Sequence, residues 1–162
     1  MNRYVQVGTD YWRQTRRWPN NARMLYLWLW GNEYVDGVTG IGEVDQDIVR
    51  SELSLSAEEV QTAWDYLTEH DKVMRDGDWY WVKDRANYTC RQKDGSPYMN
   101  YVMHAANLIA TTKMPQPIKD GFLQSYKKVL GSIQSGSAPH AKGLATGSDL
   151  AQRVREIRGG NK

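Results

Sequence analysis

The chain of 162 residues has one cysteine, Cys90, and a single phenylalanine, Phe122. One cysteine excludes an internal disulfide and any zinc site built on several thiolates. No apolar run approaches the roughly 18–20 residues of a membrane-spanning helix. The first residues, Met1-Asn-Arg-Tyr-Val-Gln-Val7, lack the apolar stretch of a secretory signal. His70, His104 and His140 stand in unrelated contexts, and no His/Cys/Asp spacing matches a metal site. There is no phosphate-binding glycine loop of the P-loop type and no nucleophile elbow around Cys90. These absences predict a cytoplasmic protein with no cofactor, and they argue against an enzyme.

Seven tryptophans and ten tyrosines stand against that one phenylalanine, so amphipathic rings supply much of the available core. A hydrophobic content of 40% and a charged content of 25% are ordinary for a globular chain. The formal net charge of +2 conceals an uneven distribution. Residues 20–88 hold six basic against fourteen acidic side chains, a balance of −8. Residues 1–19 carry +3, and residues 127–162, with seven basic and two acidic side chains, carry +5. A polyanion is therefore attracted to the two ends and repelled by much of the middle.

Tyr4-Val-Gln-Val7 alternates like a short strand or extended arm. Trp18-Pro-Asn-Asn21 breaks the chain and caps a helix. From Met24 to Trp30 that helix has no polar face, which predicts burial on several sides. Asp36-Gly37 and Gly40 mark turns around a short strand near Ile41. Asp45 caps a helix that presents Ile48, Val49 and Leu53 on one side. Ser56-Ala-Glu-Glu59 is a capping box, followed by Val60, Ala63, Trp64 and Leu67 at helical spacing. Asp76-Gly77 predicts a two-residue hairpin between Val73-Met74 and Trp79-Tyr-Trp-Val82. On the second strand Trp79 and Trp81 share a face, with Tyr80 and Val82 opposite.

Strand, helix, turn, helix, hairpin is the order of a winged helix-turn-helix. The expected fold class is α+β, with that unit and its N-terminal arm over residues 1–88. Two further helices follow over 89–130. The first is expected to start at Ser96 (N-cap) and Pro97 (first helical position). The second follows Pro115 and Pro117 and carries Ile118, Phe122, Leu123, Tyr126, Val129 and Leu130 as its stripe. Their apolar faces predict docking on the first region or self-association. From Gly131 to Ser148 the composition turns to Gly, Ser, Ala and Thr, the signature of a flexible linker before a basic tail, so 131–162 forms the third region.

Several stretches carry a family pattern together. They are Val5-Gln-Val-Gly-Thr-Asp-Tyr-Trp12, Asn21-Ala-Arg-Met-Leu-Tyr-Leu-Trp-Leu-Trp-Gly-Asn32, Gly40-Ile41, Leu53-Ser-Leu-Ser-Ala-Glu-Glu-Val60 and Trp79-Tyr-Trp-Val82. Their order and spacing resemble the N-terminal domain of phage replisome organisers, replication-initiation proteins related to DnaD-type primosome proteins. The resemblance spans roughly residues 4–88. It implies a winged-helix domain that binds DNA or oligomerises, and a C-terminal part that engages the replicative helicase or its loader.

The candidate DNA contacts fall in five places. Tyr11-Trp-Arg-Gln-Thr-Arg-Arg-Trp18 interleaves aromatics with Arg13, Arg16 and Arg17, a pairing suited to phosphates and stacked bases. The alternative is that Trp12 and Trp18 pack over the sheet. Gln61 and Thr62 could read base edges from the helix 56–70, although Glu58, Glu59 and Asp65 on the same face repel phosphate. Arg75 lies beside the hairpin tip, where two aspartates oppose the same contact. Lys127 and Lys128 stand at the end of the last helix. Arg153, Arg155 and Arg158 sit behind the linker as a tethered basic arm. The reading is a non-catalytic DNA-binding replication-initiation protein with a possible homo-oligomeric state and no membrane partner. Two alternatives stay open: a protein-interaction adaptor using the acidic helix pair, and a small winged-helix transcriptional regulator.

Overall fold

Local signals place most of the elements. The Asp45 carboxylate accepts the Asp47 amide at 2.7 Å and starts helix α3 (Gln46–Leu53). That helix ends at Ser54, which takes a left-handed conformation at φ 54°. Two residues later the capping box closes. Ser56 Oγ accepts the Glu59 amide at 3.2 Å, and the Glu59 carboxylate accepts the Ser56 amide at 2.8 Å. Helix α4 (Ala57–Glu69) follows and buries Val60, Ala63, Trp64 and Leu67, the expected stripe.

The computed structural model describes residues 10–89, 94 and 98–131, with 128–131 described as backbone. It is an α+β structure in two compact units, Met1–Ala86 and Asn87–Lys162. The first contains α1 (Tyr11–Gln14), α2 (Asn20–Gly31), β1 (Ile41–Glu43), α3, α4, β2 (Val73–Asp76) and β3 (Trp79–Val82). Helix α5 (Arg85–Thr89) runs across the boundary, and the second unit holds α6 (Met99–Thr111) and α7 (Gln116–Gly131). The strands form one antiparallel sheet in the order β1-β3-β2, with Ile41 opposite Trp81 and Val73 opposite Val82.

Helices α2 and α4 make the main packing of the first unit. Ala22, Leu25 and Leu29 of α2 meet Val60, Ala63 and Leu67 of α4, with Val49 of α3 and Tyr80 and Val82 of β3 completing the core. Helix α2 departs from the expectation of burial on several sides. Only Ala22, Leu25, Tyr26 and Leu29 are buried, and Met24 is 45% exposed. Trp28 and Trp30 stop at half-burial; the Trp28 indole N–H donates to Glu52 at 2.8 Å, which keeps that edge of the ring out of the core. The start of α2 also differs. Pro19 occupies the cap position with no side-chain cap; Asn21 accepts the Ala22 amide at 2.9 Å and donates to the Glu59 carbonyl at 2.8 Å, tying α2 to α4.

The hairpin turn is shifted by one residue from its sequence signal. Asp76 pairs with Trp79 inside the ladder, so Gly77 and Asp78 are the two turn residues. Gly77 has φ +60° and Asp78 is not in the positive region, the arrangement that places glycine first. On β3, Tyr80 and Val82, which share a face, enter the core, and Trp81 on the other face is buried as well.

In the second unit α6 begins at Met99 with Tyr98 at the cap position, and Ser96 and Pro97 lie outside the described residues. Val102, Ala105 and Ile109 of α6 are buried, as are Ile118, Phe122 and Tyr126 of α7. The Phe122 and Tyr126 rings stack at 4.3 Å. Leu123 is half-buried, while the Val129 and Leu130 side chains, the arm around Tyr4–Val7, and the linker and tail lie outside the described residues.

Candidate nucleic-acid interface

Helix α4 turns Glu58, Gln61, Thr62, Asp65 and Glu69 outward, all exposed. Its two candidate base readers are held by the helix itself. The Gln61 amide donates to Asp65 at 2.7 Å, and the Thr62 hydroxyl donates to the Glu58 carbonyl at 2.8 Å. Backbone and side-chain hydrogen bonds from Ser56 hold the Glu59 carboxyl below its ordinary range, which fixes negative charge at the start of the helix. That charge suits the helix dipole and repels a phosphate.

Arg75 reaches from β2 onto α4. Its guanidinium lies 5.0 Å from the centre of the Trp64 ring, and Nε donates to the Gly77 carbonyl at 3.0 Å. Burial lowers its pKa, while the smaller pull of Asp78 and Asp65 acts in the opposite direction. A guanidinium keeps its proton across the ordinary pH range, so the side chain is a cation over the indole with the charges of Asp78 and Asp65 in its field. Gln61, Asp65, Thr68, Glu69, Arg75 and Gly77 line an open cleft of about 400 Å³ above Trp64. The structure thus gathers Gln61 and Arg75 at one place, with acidic neighbours.

The arginine segment is built differently. The Tyr11 hydroxyl donates to the Arg23 carbonyl at 2.7 Å and fastens α1 to α2, while the Thr15 hydroxyl donates to the Tyr11 carbonyl at 2.8 Å and closes the end of α1. Burial pushes the Tyr11 phenol up, so it stays a donor at neutral pH. Trp18 packs inward, 5.4 Å from Tyr26 and 5.8 Å from Tyr66 between ring centres. Trp12 does not: it is 56% exposed, with Tyr11 edge-on at 5.1 Å and the Arg23 guanidinium 4.8 Å from its ring centre. The two tryptophans that sequence treats alike are thus separated into one half-buried ring packed against the core and one surface ring. Arg13, Arg16 and Arg17 are exposed and, among the described residues, their guanidiniums form no ion pair or hydrogen bond.

Arg23 was not among the sequence candidates. Its signal was available, since it is the one charged residue in an otherwise uncharged helix, Asn20–Gly31. Lys127 is exposed on α7 in the second unit, Lys128 is described only as backbone, and Arg153, Arg155 and Arg158 lie outside the described residues. His70 stacks on Tyr66 at 3.9 Å with Nδ1 2.8 Å from the Tyr66 carbonyl oxygen, a local contact at the end of α4. Among the described residues no three His, Cys, Asp or Glu side chains converge as metal ligands. No described helix is long and apolar enough to cross a membrane. No family model, curated protein or solved structure matches this chain.

Proposed function

We propose that the first unit is a winged helix-turn-helix, with α3 and α4 as its helix pair and the β2–β3 hairpin as its wing. We further propose that the chain is a non-catalytic DNA-binding protein of the replisome-organiser type. The helix–turn–helix–hairpin order and the β1-β3-β2 sheet support the fold reading. The DNA reading rests on one observation: Arg13, Arg16 and Arg17 are exposed and uncommitted, next in the chain to residues 20–88, whose charge balance is −8. Guanidiniums without internal partners lose nothing when they meet phosphate, and they release counterions on contact. Gln61 and Thr62, already hydrogen-bonded within α4, contribute little base readout in this arrangement. DNA is gripped by charge and recognised with little sequence preference.

Recruitment of a replicative helicase or its loader, and pairing with a second copy, belong to the same proposal. The second unit supports it with exposed Tyr98, Met99 and Tyr101, the two tyrosine rings 5.5 Å apart. Such surface aromatics are typical anchors in protein interfaces.

Fluorescence anisotropy of labelled DNA across a salt series tests the proposal. Affinity falls with salt, and Arg16→Ala with Arg17→Ala flattens the slope by about 0.7–0.9 per lost contact. No binding at low salt overturns it. The acidic outer side of α4 favours a second reading, an adaptor for a basic protein partner. Under that reading Glu58→Lys with Asp65→Lys abolishes partner capture and leaves DNA out of account.

A further inference from the structure

We infer that Trp12 is a stacking platform for an unpaired base, so that the arginine segment takes single-stranded in preference to duplex DNA. This inference rests on the DNA-binding reading above. An indole that is 56% exposed leaves a large apolar face in water, whereas Trp18, six residues on, is packed between Tyr26 and Tyr66. The exposed ring is nonetheless held. The Arg23 guanidinium lies 4.8 Å from its centre, and the Tyr11 ring meets it at 80°. Tyr11 is itself fixed through its hydroxyl to the Arg23 carbonyl. Beyond its place over the indole, the Arg23 guanidinium donates to Asn20 at a long 3.4 Å and pairs with no carboxylate among the described residues. The ring is therefore oriented before any ligand arrives, which reduces the ordering cost of binding.

An oriented aromatic beside uncommitted guanidiniums is the pairing that single-strand binding uses: rings take base faces and arginines follow the phosphates. A duplex keeps its base faces stacked on each other and offers this ring no partner. Stacking is tolerant of base identity, in keeping with an α4 surface on which Gln61 and Thr62 are hydrogen-bonded within the helix.

The test uses the full chain with three labelled probes: a short oligothymidylate, an abasic strand of the same length, and a duplex. The wild-type protein binds the oligothymidylate more tightly than the abasic strand, and Trp12→Ala weakens oligothymidylate binding about fivefold or more. Trp12→Ala leaves abasic-strand and duplex affinity unchanged, and Trp12→Phe retains most of the oligothymidylate affinity. Equal wild-type affinity for oligothymidylate and abasic strand overturns the stacking role without recourse to any variant. Unchanged oligothymidylate affinity in Trp12→Ala, with weakening in Arg16→Ala/Arg17→Ala, overturns it while leaving the phosphate reading intact. Absence of binding to every probe at low salt overturns both.

Discussion

Asn32 and Tyr80, 48 residues apart, are joined by a buried hydrogen-bonded contact. The Tyr80 hydroxyl lies 3.1 Å from Asn32 Oδ1 and 3.0 Å from Asn32 Nδ2. Asn32 also donates to the Trp28 carbonyl at 3.1 Å and accepts the Tyr34 amide at 2.8 Å, so one side chain closes the end of α2 onto the middle of β3. Tyr80→Phe removes one partner from a buried amide and is expected to cost about 1–2 kcal/mol, read as a lower Tm.

The same phenol gives an alkaline signature. Burial raises the Tyr80 pKa well above the ordinary phenol value of 10.0, with the Asn32 contact opposing more weakly. Its proton is held more tightly in the folded state. The stabilisation is therefore complete below about pH 10 and is lost as pH rises beyond it. Urea titrations at rising pH should show the wild type losing stability above that point and Tyr80→Phe losing less.

Two glycines separate steric from conformational cost. A Cβ on Gly42 would stand 2.5 Å from Tyr80 Cζ and Oη and 2.8 Å from the Tyr34 carbonyl oxygen. Tyr80 is fully buried and has nowhere to move, so Gly42→Ala is expected to cost on the order of 3 kcal/mol. A Cβ on Gly77 meets nothing within 4 Å, and only its φ of +60° resists substitution. Gly77→Ala should cost about 1–2 kcal/mol by the same denaturation assay.

The capping box at α4 predicts both a stability loss and an acid dependence. Ser56→Ala should cost about 1 kcal/mol. Glu59 has a depressed pKa through its hydrogen bonds with Ser56, so its contribution is present above the ordinary carboxylate value of 4.5 and fades as pH falls. Glu59→Gln should remove that acid-dependent part, which chemical denaturation between pH 3 and 6 would detect.

Charge reversal on α4 separates the two functional readings. Glu58→Lys with Asp65→Lys removes repulsion on an exposed face without touching the capping box. If DNA is the ligand, affinity rises roughly tenfold at low salt and the gain shrinks as salt is added. An unchanged affinity would separate this face of α4 from the DNA path.

Elements set by local chemistry were legible in the chain. Asp45, the Ser56–Glu59 box and the Val60/Ala63/Trp64/Leu67 stripe need only their neighbours in sequence, and the structure holds them as read. Features decided by distant contacts were not. Trp28 stays half-buried with its N–H on Glu52, and Asn21, while accepting the Ala22 amide of its own helix, also donates to the Glu59 carbonyl of α4. The turn moved to Gly77-Asp78 because ladder register, set across the sheet, outweighed a dipeptide preference. At the candidate interface, the run of arginines was visible as charge. The difference between Trp12 and Trp18 depends on where Tyr26 and Tyr66 stand, and no spacing rule encodes that.

The order β1-β3-β2 leaves two flanks on a small sheet, and they are unequal. Val35 bridges to Gly42 and the Asp36 amide donates to the Ile41 carbonyl at 2.8 Å, so β1 already has a neighbour on its outer side. Among the described residues no strand pairs with the outer side of β2. Among the described residues β2 therefore carries the one open flank, and any strand added to it from a second copy would pair two chains across a two-fold axis and leave no further edge for a fibre.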